Sequence, residues 1–141
     1  MSSEIKVLNL LYSYAEKIDS GDFAGTAALF RHARVHSAHG ELDEAGMCAL
    51  WTGLVRRYED GTPRTKHVIT NPIVEVDDEA GTATVRSYYT VIQLFPDGHL
   101  EPVACGRYHD AFERVAGHWR FSARDYSLLD LPGNLSHHLA R

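Results

Sequence analysis

Asp19 and His67 are residues whose types and positions could together transfer a proton. Asp19 follows a helical run of apolar residues, and His67 lies in the alternating segment 65–71, which is typical of a strand. A carboxylate that accepts a hydrogen bond from Nδ1–H of a histidine holds the ring in one tautomer and stabilises the imidazolium, which leaves Nε2 to act as a general base. We predict this pair if the helix packs across the concave face of the sheet. Otherwise Asp19 solvates the end of its helix and His67 is a structural residue.

Arginine and tyrosine side chains in the C-terminal third of the chain could stabilise negative charge on a substrate oxygen. The candidate electrostatic donors are Arg107, Arg114 and Arg124, although each could equally be an exposed strand charge. Strict alternation places Tyr108 and Arg107 on opposite faces of one strand, and we favour Tyr108 in the pocket. Most of the predicted apolar and aromatic pocket wall could instead be ordinary core. Its residues are Tyr12, Trp51, Leu54, Val55, Tyr89 and Tyr108.

The nine histidines of the chain raise the question of a metal site. His32 and His36 have the four-residue spacing that joins ligands on a helix, but segment 34–38 is typical of a strand, which would separate them. The other histidine pairs have no cysteine or carboxylate cluster at ligand spacing. The sequence also has no CxxC, Walker, dinucleotide-binding or nucleophile-elbow motif. We therefore predict a site with no metal and no cofactor.

Length, composition and charge exclude several classes of protein for this chain. The chain has 141 residues, of which 44% are hydrophobic, and this suffices for one domain with one core. A formal net charge of −5 has the wrong sign for binding a nucleic-acid backbone. Cys48 and Cys105 are interpreted as reduced thiols, and neither a signal peptide nor a run of about eighteen apolar residues is present. We predict a single cytoplasmic domain over residues 1–141, with no nucleic-acid or membrane partner.

The secondary-structure elements that must position these residues are predicted to be mainly helices in the N-terminal part of the chain and strands in the rest. A helix is predicted over Glu4–Asp19, where Gly21 ends it, and a second over Asp22–Phe30. The first helix is predicted to bury a stripe formed by Ile5, Leu8, Tyr12 and Ala15, with Leu11 and Ile18 alongside. A short strand over residues 34–38 precedes a third helix capped by Asp43. Residues 65–128 are predicted to form an antiparallel meander with turns at 77–81, 96–98 and 116–117.

Four segments occur in a familiar order: IDSGDF at 18–23, TKHVITN at 65–71, GRYHDAFER at 106–114 and HWRF at 118–121. Together they resemble the SnoaL-like group of the nuclear transport factor 2-like superfamily, over about residues 5–128. The resemblance implies an α+β fold, a cone-shaped barrel in which three N-terminal helices pack on a strongly curved antiparallel sheet. It also implies that Asp19 and His67 occupy the positions of the catalytic aspartate and histidine of scytalone dehydratase and lindane dehydrochlorinase. Ile18 stands where scytalone dehydratase has a tyrosine, which argues against scytalone as the substrate.

Two functions follow from these observations as predictions. The first is a cofactor-independent lyase or isomerase, dehydratase-like or ketosteroid isomerase-like, in which His67 abstracts a proton from a small hydrophobic, cyclic metabolite. The alternative is a non-catalytic ligand-binding or scaffold subunit that resembles the small subunit of ring-hydroxylating dioxygenases. An exposed sheet face predicts a homodimer or homotrimer. Two structures are open for the C-terminal tail, residues 130–141. It forms a short helix, which either closes the pocket or crosses to a neighbouring subunit, or it is a frayed end.

Overall fold

The computed structural model describes residues 1–140. In this range the chain forms three helices, α1 (Ser3–Asp19), α2 (Phe23–Ala28) and α3 (Glu44–Leu54). The strands are β1 (Arg34–Ser37), β2 (Gly40–Leu42), β3 (Thr65–Asp77), β4 (Thr82–Leu94), β5 (Leu100–Val115), β6 (His118–Asp125) and β7 (Leu129–Pro132). The predicted α+β fold, with its helices ahead of a long meander, is confirmed. None of the helices in residues 1–140 is long and apolar enough to cross a membrane.

The strands form one sheet in the order β2-β1-β6-β5-β4-β3, and β7 pairs with β5 outside this path. The meander β3–β6 is antiparallel, as predicted. The sheet as a whole is mixed, because β1 pairs with β6 in parallel. The sheet is curved and open: no pairing within residues 1–140 joins its two end strands, β2 and β3. Register shifts in β3, β4 and β5 mark the irregularities at which such long strands can bend.

Helix α1 packs against β3, and its buried stripe differs from the predicted one. The buried residues are Val7, Leu11, Tyr14 and Ile18, whereas Ile5 and Tyr12 are 50% and 41% exposed. The helix carries apolar residues at three- and four-residue steps in two overlapping sets, so its periodicity cannot choose between them. Packing against the sheet selects the set that contains Tyr14, whose ring fits among the aromatic residues of the core. Asp19 lies directly after Ile18, at the end of this buried stripe, where its carboxylate contacts β3.

Helix α1 ends in a Schellman motif around Gly21. This glycine was predicted to end the helix, and it adopts the positive φ of +81° that the motif requires. The N–H of Asp22 donates to the carbonyl of Lys17 at 3.2 Å, and the N–H of Gly21 donates to that of Ile18 at 3.1 Å. Asp22 then caps α2 through its side chain, as Asp43 caps α3. This tight reversal places Asp19 at the helix end that faces β3.

We expect Gly21→Ala to destabilise the protein by about 3 kcal/mol, since an L-residue is strained at positive φ and an added Cβ would collide with the backbone. That Cβ would lie 2.1 Å from the carbonyl oxygen of Gly61. Gly61→Ala is the matched control, because Gly61 has φ +82° but nothing lies within 4 Å of an added Cβ. It should cost only about 1 kcal/mol. Urea unfolding measures both, and equal losses would contradict the role given to the close approach.

Candidate active site

A cavity of about 300 Å³ lies between α3, the concave side of β3–β5, the segment after β6 and the C-terminal tail. Its wall is mainly aromatic and aliphatic, and it includes Trp51, Leu54, Val55, Tyr89, Tyr108, Tyr126, Leu135 and Leu139. Its polar character comes from the side chains of His39, His67 and His138 and from a few residues with hydroxyl groups. A larger groove of about 480 Å³ lies on the outer face of the sheet near Tyr88 and Arg107, but the pair Asp19/His67 is not part of it. Few polar groups in a largely apolar cavity are typical of a small-molecule site.

Asp19 and His67 are in direct contact. Oδ1 of Asp19 lies 2.6 Å from Nδ1 of His67, and the two side chains are only 9% and 6% exposed. The same oxygen accepts a hydrogen bond from the Thr65 hydroxyl at 3.0 Å, and Oδ2 accepts one from the backbone N–H of His67 at 2.8 Å. Because a carboxylate can only accept, these contacts require the hydrogen of a neutral His67 ring to be on Nδ1. Nε2 then carries the free lone pair of a ring that lines the cavity.

Three tyrosine hydroxyl groups form a chain of contacts at the cavity wall. The Tyr108 hydroxyl donates to that of Tyr14 at 3.3 Å, so the proton of Tyr14 is available for Tyr126, whose hydroxyl lies 3.1 Å away. Tyr126 also accepts from Nε1–H of Trp51 at 3.2 Å. Burial raises the pKa of Tyr14 and of Tyr108 well above the ordinary value, so both stay protonated. When Tyr14 is the donor in its contact with Tyr126, both acceptor positions of Tyr126 are used, and the O–H of Tyr126 is free for a molecule in the cavity that it lines.

Five of the six predicted wall residues, Trp51, Leu54, Val55, Tyr89 and Tyr108, do line this cavity. The prediction for Tyr12 is wrong, because α1 turns this side chain to its exposed side. The buried tyrosine of α1 is Tyr14, two residues later, which lies beneath the wall with its ring centre 6.1 Å from that of His67. Tyr14 takes the place of Tyr12 because α1 buries the stripe that contains Tyr14.

The three candidate arginine donors do not reach the cavity. Arg107 lies on the outer face of the sheet and pairs with Asp130, and Arg114 pairs with Asp78. Arg124 is fully buried beneath the tyrosines and makes a bidentate ion pair with Asp110 at 2.7 and 3.0 Å. Burial raises the pKa of Asp110, and the Arg124 charge opposes this rise. The predictions of these three residues as donors in the cavity are therefore wrong, since each already has a carboxylate partner elsewhere.

Tyr126 and His138 are among the cavity residues that the sequence does not predict. Tyr126 directly follows β6, and no motif in the sequence distinguishes it from the other tyrosines. His138 lies in the tail, which continues from β7 back over the cavity instead of forming the helix considered above. Only the path of the chain brings Tyr126 and His138 to the site.

No group of three or more potential metal ligands occurs within residues 1–140.

Burial lowers the pKa of His138 to about 4 from the ordinary 6.5, and the nearby His67 lowers it further while Asp19 opposes the shift. His138 is therefore neutral near pH 7. In the unfolded chain its pKa returns to the ordinary value, so between these two values the unfolded state binds more protons than the folded state. Folding stability consequently rises with pH in this window and is lost as the pH falls through it.

We expect this residue to account for about 2–3 kcal/mol of the stability lost between about pH 7 and about pH 4. The measurement is the free energy of urea unfolding at both pH values for the unmodified protein and for His138→Gln. Carboxylates contribute equally to both proteins and cancel in the difference. A parallel loss of stability in the two proteins would contradict the prediction.

The chain belongs to the SnoaL-like domain family, whose sequence profile matches residues 1–125. This confirms the resemblance found in the sequence. A comparison with curated protein sequences gave no significant match.

Solved structures with the same fold include Aln2 from a Streptomyces species, which is 25% identical with a TM-score of 0.69 over 91% of this chain and 93% of that chain. A scytalone dehydratase candidate from Novosphingobium aromaticivorans is 20% identical, with a TM-score of 0.67 over 90% of this chain and 83% of that one. The β subunit of a candidate aromatic-ring-hydroxylating dioxygenase from the same bacterium is 16% identical, with a TM-score of 0.69 over 96% and 95%. The latter two likenesses are evidence of the fold alone.

Proposed function

We propose that this protein is a cofactor-independent lyase or isomerase that acts on a small, hydrophobic, cyclic molecule through proton abstraction by His67. The observation that carries the proposal is the Asp19/His67 contact at 2.6 Å at the wall of an apolar cavity. The name of the Novosphingobium dehydratase candidate is in keeping with it. An imidazole with an orienting carboxylate and a free Nε2 is a competent general base near neutral pH.

The proposed reaction begins at a carbon next to a carbonyl group. Nε2 of His67 takes the proton from this carbon, and the electron pair of the broken C–H bond moves to the carbonyl oxygen, which becomes an enolate. The Tyr126 hydroxyl donates a hydrogen bond to that oxygen, where negative charge develops. In an isomerisation the ketone has a carbon–carbon double bond next to the deprotonated carbon, so the enolate is a dienolate, and the imidazolium returns the proton to the far end of that double bond. In an elimination the enolate re-forms the carbonyl and expels a leaving group from the carbon next to the deprotonated one, and the imidazolium gives its proton to the departing group or to solvent.

The charge of the cavity wall supports an uncharged substrate. Within residues 1–140 no lysine or arginine side chain lines the cavity. A carboxylate or phosphate on the ligand would therefore lose its hydration with no cationic partner, which costs several kcal/mol. A ketone with fused or aromatic rings fits both the size and the polarity of the site.

The experiment is α-proton exchange in heavy water, followed by NMR, on a panel of bicyclic ketones that includes 2-tetralone. The unmodified protein should accelerate the exchange above the rate in buffer, because this reaction needs only the base and the hydrogen-bond donor. Methoxynaphthalenes of similar size, which have no acidic α-proton, should bind without exchange. Binding of the ketones with exchange no faster than in buffer would count against the lyase or isomerase and favour the second candidate.

The second candidate is a non-catalytic subunit. It is favoured by the exposed apolar residues Val68, Ile73 and Tyr88 on the strands β3 and β4. The fold of the dioxygenase β subunit covers nearly the same length. Self-association as a dimer or trimer through such a surface stays a prediction.

A further inference from the structure

We propose that His138 is a second ligand-binding residue of the cavity, which donates a hydrogen bond from Nε2–H to an acceptor oxygen of the ligand. The inference rests on the proposed function to the extent that both require the cavity to take a small molecule. It assigns a role to the C-terminal tail, which lies outside the region matched by the family. It also defines the ligand more closely, as a molecule that accepts one hydrogen bond beside the atom whose proton His67 takes.

The first argument concerns how firmly the tail holds this residue. The carbonyl of His138 accepts a hydrogen bond from the Arg56 N–H at 2.8 Å, and the N–H of Ala140 donates to Leu54 at 2.7 Å. Between them Leu139 forms a bridge with Val55. The backbone from the His138 carbonyl to Ala140 is therefore fastened to the end of α3 and the two residues after it, and the His138 ring is held at the cavity.

The second argument concerns the tautomer of the ring. Nδ1 of His138 is buried and has no hydrogen-bond partner within residues 1–140. A proton on this atom would leave a buried N–H unsatisfied, which is costlier and rarer in proteins than an unsatisfied acceptor. The proton of the neutral ring therefore belongs on Nε2, the nitrogen that is left to meet a molecule in the cavity. The low pKa of His138 keeps the ring in this neutral form near pH 7.

His67 and His138 thus present opposite hydrogen-bonding polarity to one cavity. Asp19 holds the proton of His67 on Nδ1, which makes Nε2 of that ring an acceptor. In His138 the proton lies on the other nitrogen, because Nδ1 is buried and has no partner among residues 1–140. Nε2 of His138 is therefore a donor. A neutral imidazole can act in this way as a donor to a carbonyl oxygen without bringing a second positive charge beside the base. A ligand with an acceptor oxygen next to a removable proton matches both groups.

The binding test compares 2-acetonaphthone with 2-isopropylnaphthalene, in which a methyl group replaces the carbonyl oxygen. Both are titrated by the fluorescence of Trp51, which lines the cavity. His138→Phe should weaken binding of the ketone by about 3- to 10-fold and leave the hydrocarbon within about 2-fold. His138→Gln restores an N–H near Nε2 and should keep most of the preference for the ketone. The control is His137→Phe, which changes the neighbouring side chain and should alter neither affinity.

An unchanged ratio of the two affinities in His138→Phe would overturn the proposal, even if both become weaker. A second measurement needs no variant: long-range proton–nitrogen NMR correlations of the unmodified protein should identify the Nε2–H tautomer of His138 and the Nδ1–H tautomer of His67. An Nδ1–H tautomer of His138 would overturn the proposal as well. Selective binding of the ketone with no α-proton exchange would leave the role of His138 supported while the proposed catalysis fails. Failure of the unmodified protein to bind either probe would overturn both.

Discussion

His67→Ala should lower the rate of α-proton exchange by about 10²- to 10⁴-fold, the usual contribution of a positioned general base. The variant loses the histidine nitrogen that an aspartate holds ready to accept a proton at the cavity. Binding of the substrate ketone should change far less, because the aromatic and aliphatic wall is intact. The measurements are the exchange rate by NMR at saturating ketone and the affinity by tryptophan fluorescence. Exchange at the unmodified rate in a folded His67→Ala protein would refute His67 as the base.

Asp19→Asn is expected to act through the tautomer of His67. The oxygen of the introduced amide can still accept from the backbone N–H of His67, as Oδ2 of Asp19 does now. Its N–H₂ group would then face Nδ1, which must become an acceptor, and the proton of the ring moves to Nε2. The base is lost although the geometry remains, and the exchange rate should fall by about 10²-fold or more. His39→Ala is the matched control, since His39 also lines the cavity but has no carboxylate behind it among the described residues and should keep the exchange rate.

Arg124→Met should destabilise the fold by about 3–5 kcal/mol, because it leaves the Asp110 carboxylate buried without its counter-ion. Both side chains of this pair are completely buried. The guanidinium also stacks on Tyr108, 3.9 Å from the ring centre, and on Tyr14 at 4.2 Å, so its removal disturbs the chain of hydroxyl contacts that joins these two residues to Tyr126. Urea unfolding near pH 7 measures the loss. The deficit should shrink as the pH falls, since an unpaired buried Asp110 is better tolerated when it is protonated.

Two variants make this prediction specific to the buried pair. Arg120→Met removes a pair with Glu113 whose side chains are 35% and 33% exposed, and it should cost no more than about 1 kcal/mol. The double variant Asp110→Leu/Arg124→Met removes both charges, so it should recover much of the loss caused by Arg124→Met alone. A loss for Arg124→Met as small as that for Arg120→Met would be incompatible with the structure.

Local features of the sequence determined the elements of this protein. Asp22 and Asp43 cap helices, Gly21 ends α1, and the turn residues separate the four long strands, because each of these effects depends on a few neighbouring residues. Alternation in β5 likewise placed Tyr108 on the buried face and Arg107 on the other. The contact between Asp19 and His67 was predicted with the help of the family resemblance. Periodicity alone left open whether the helix end meets the strand.

Only the tertiary structure decided how these elements combine. Two stripes of α1 satisfy the helical period equally, and the sheet selected the one with Tyr14, which moved Tyr12 to the surface. Burial of Arg124, the contact of the Tyr126 hydroxyl with Tyr14 and the position of His138 each depend on partners more than ten residues away along the chain. The physical reason is the same in all three cases. A side chain takes its charge state and hydrogen-bonding role from the groups around it in space, and periodicity within one segment carries no information about those groups.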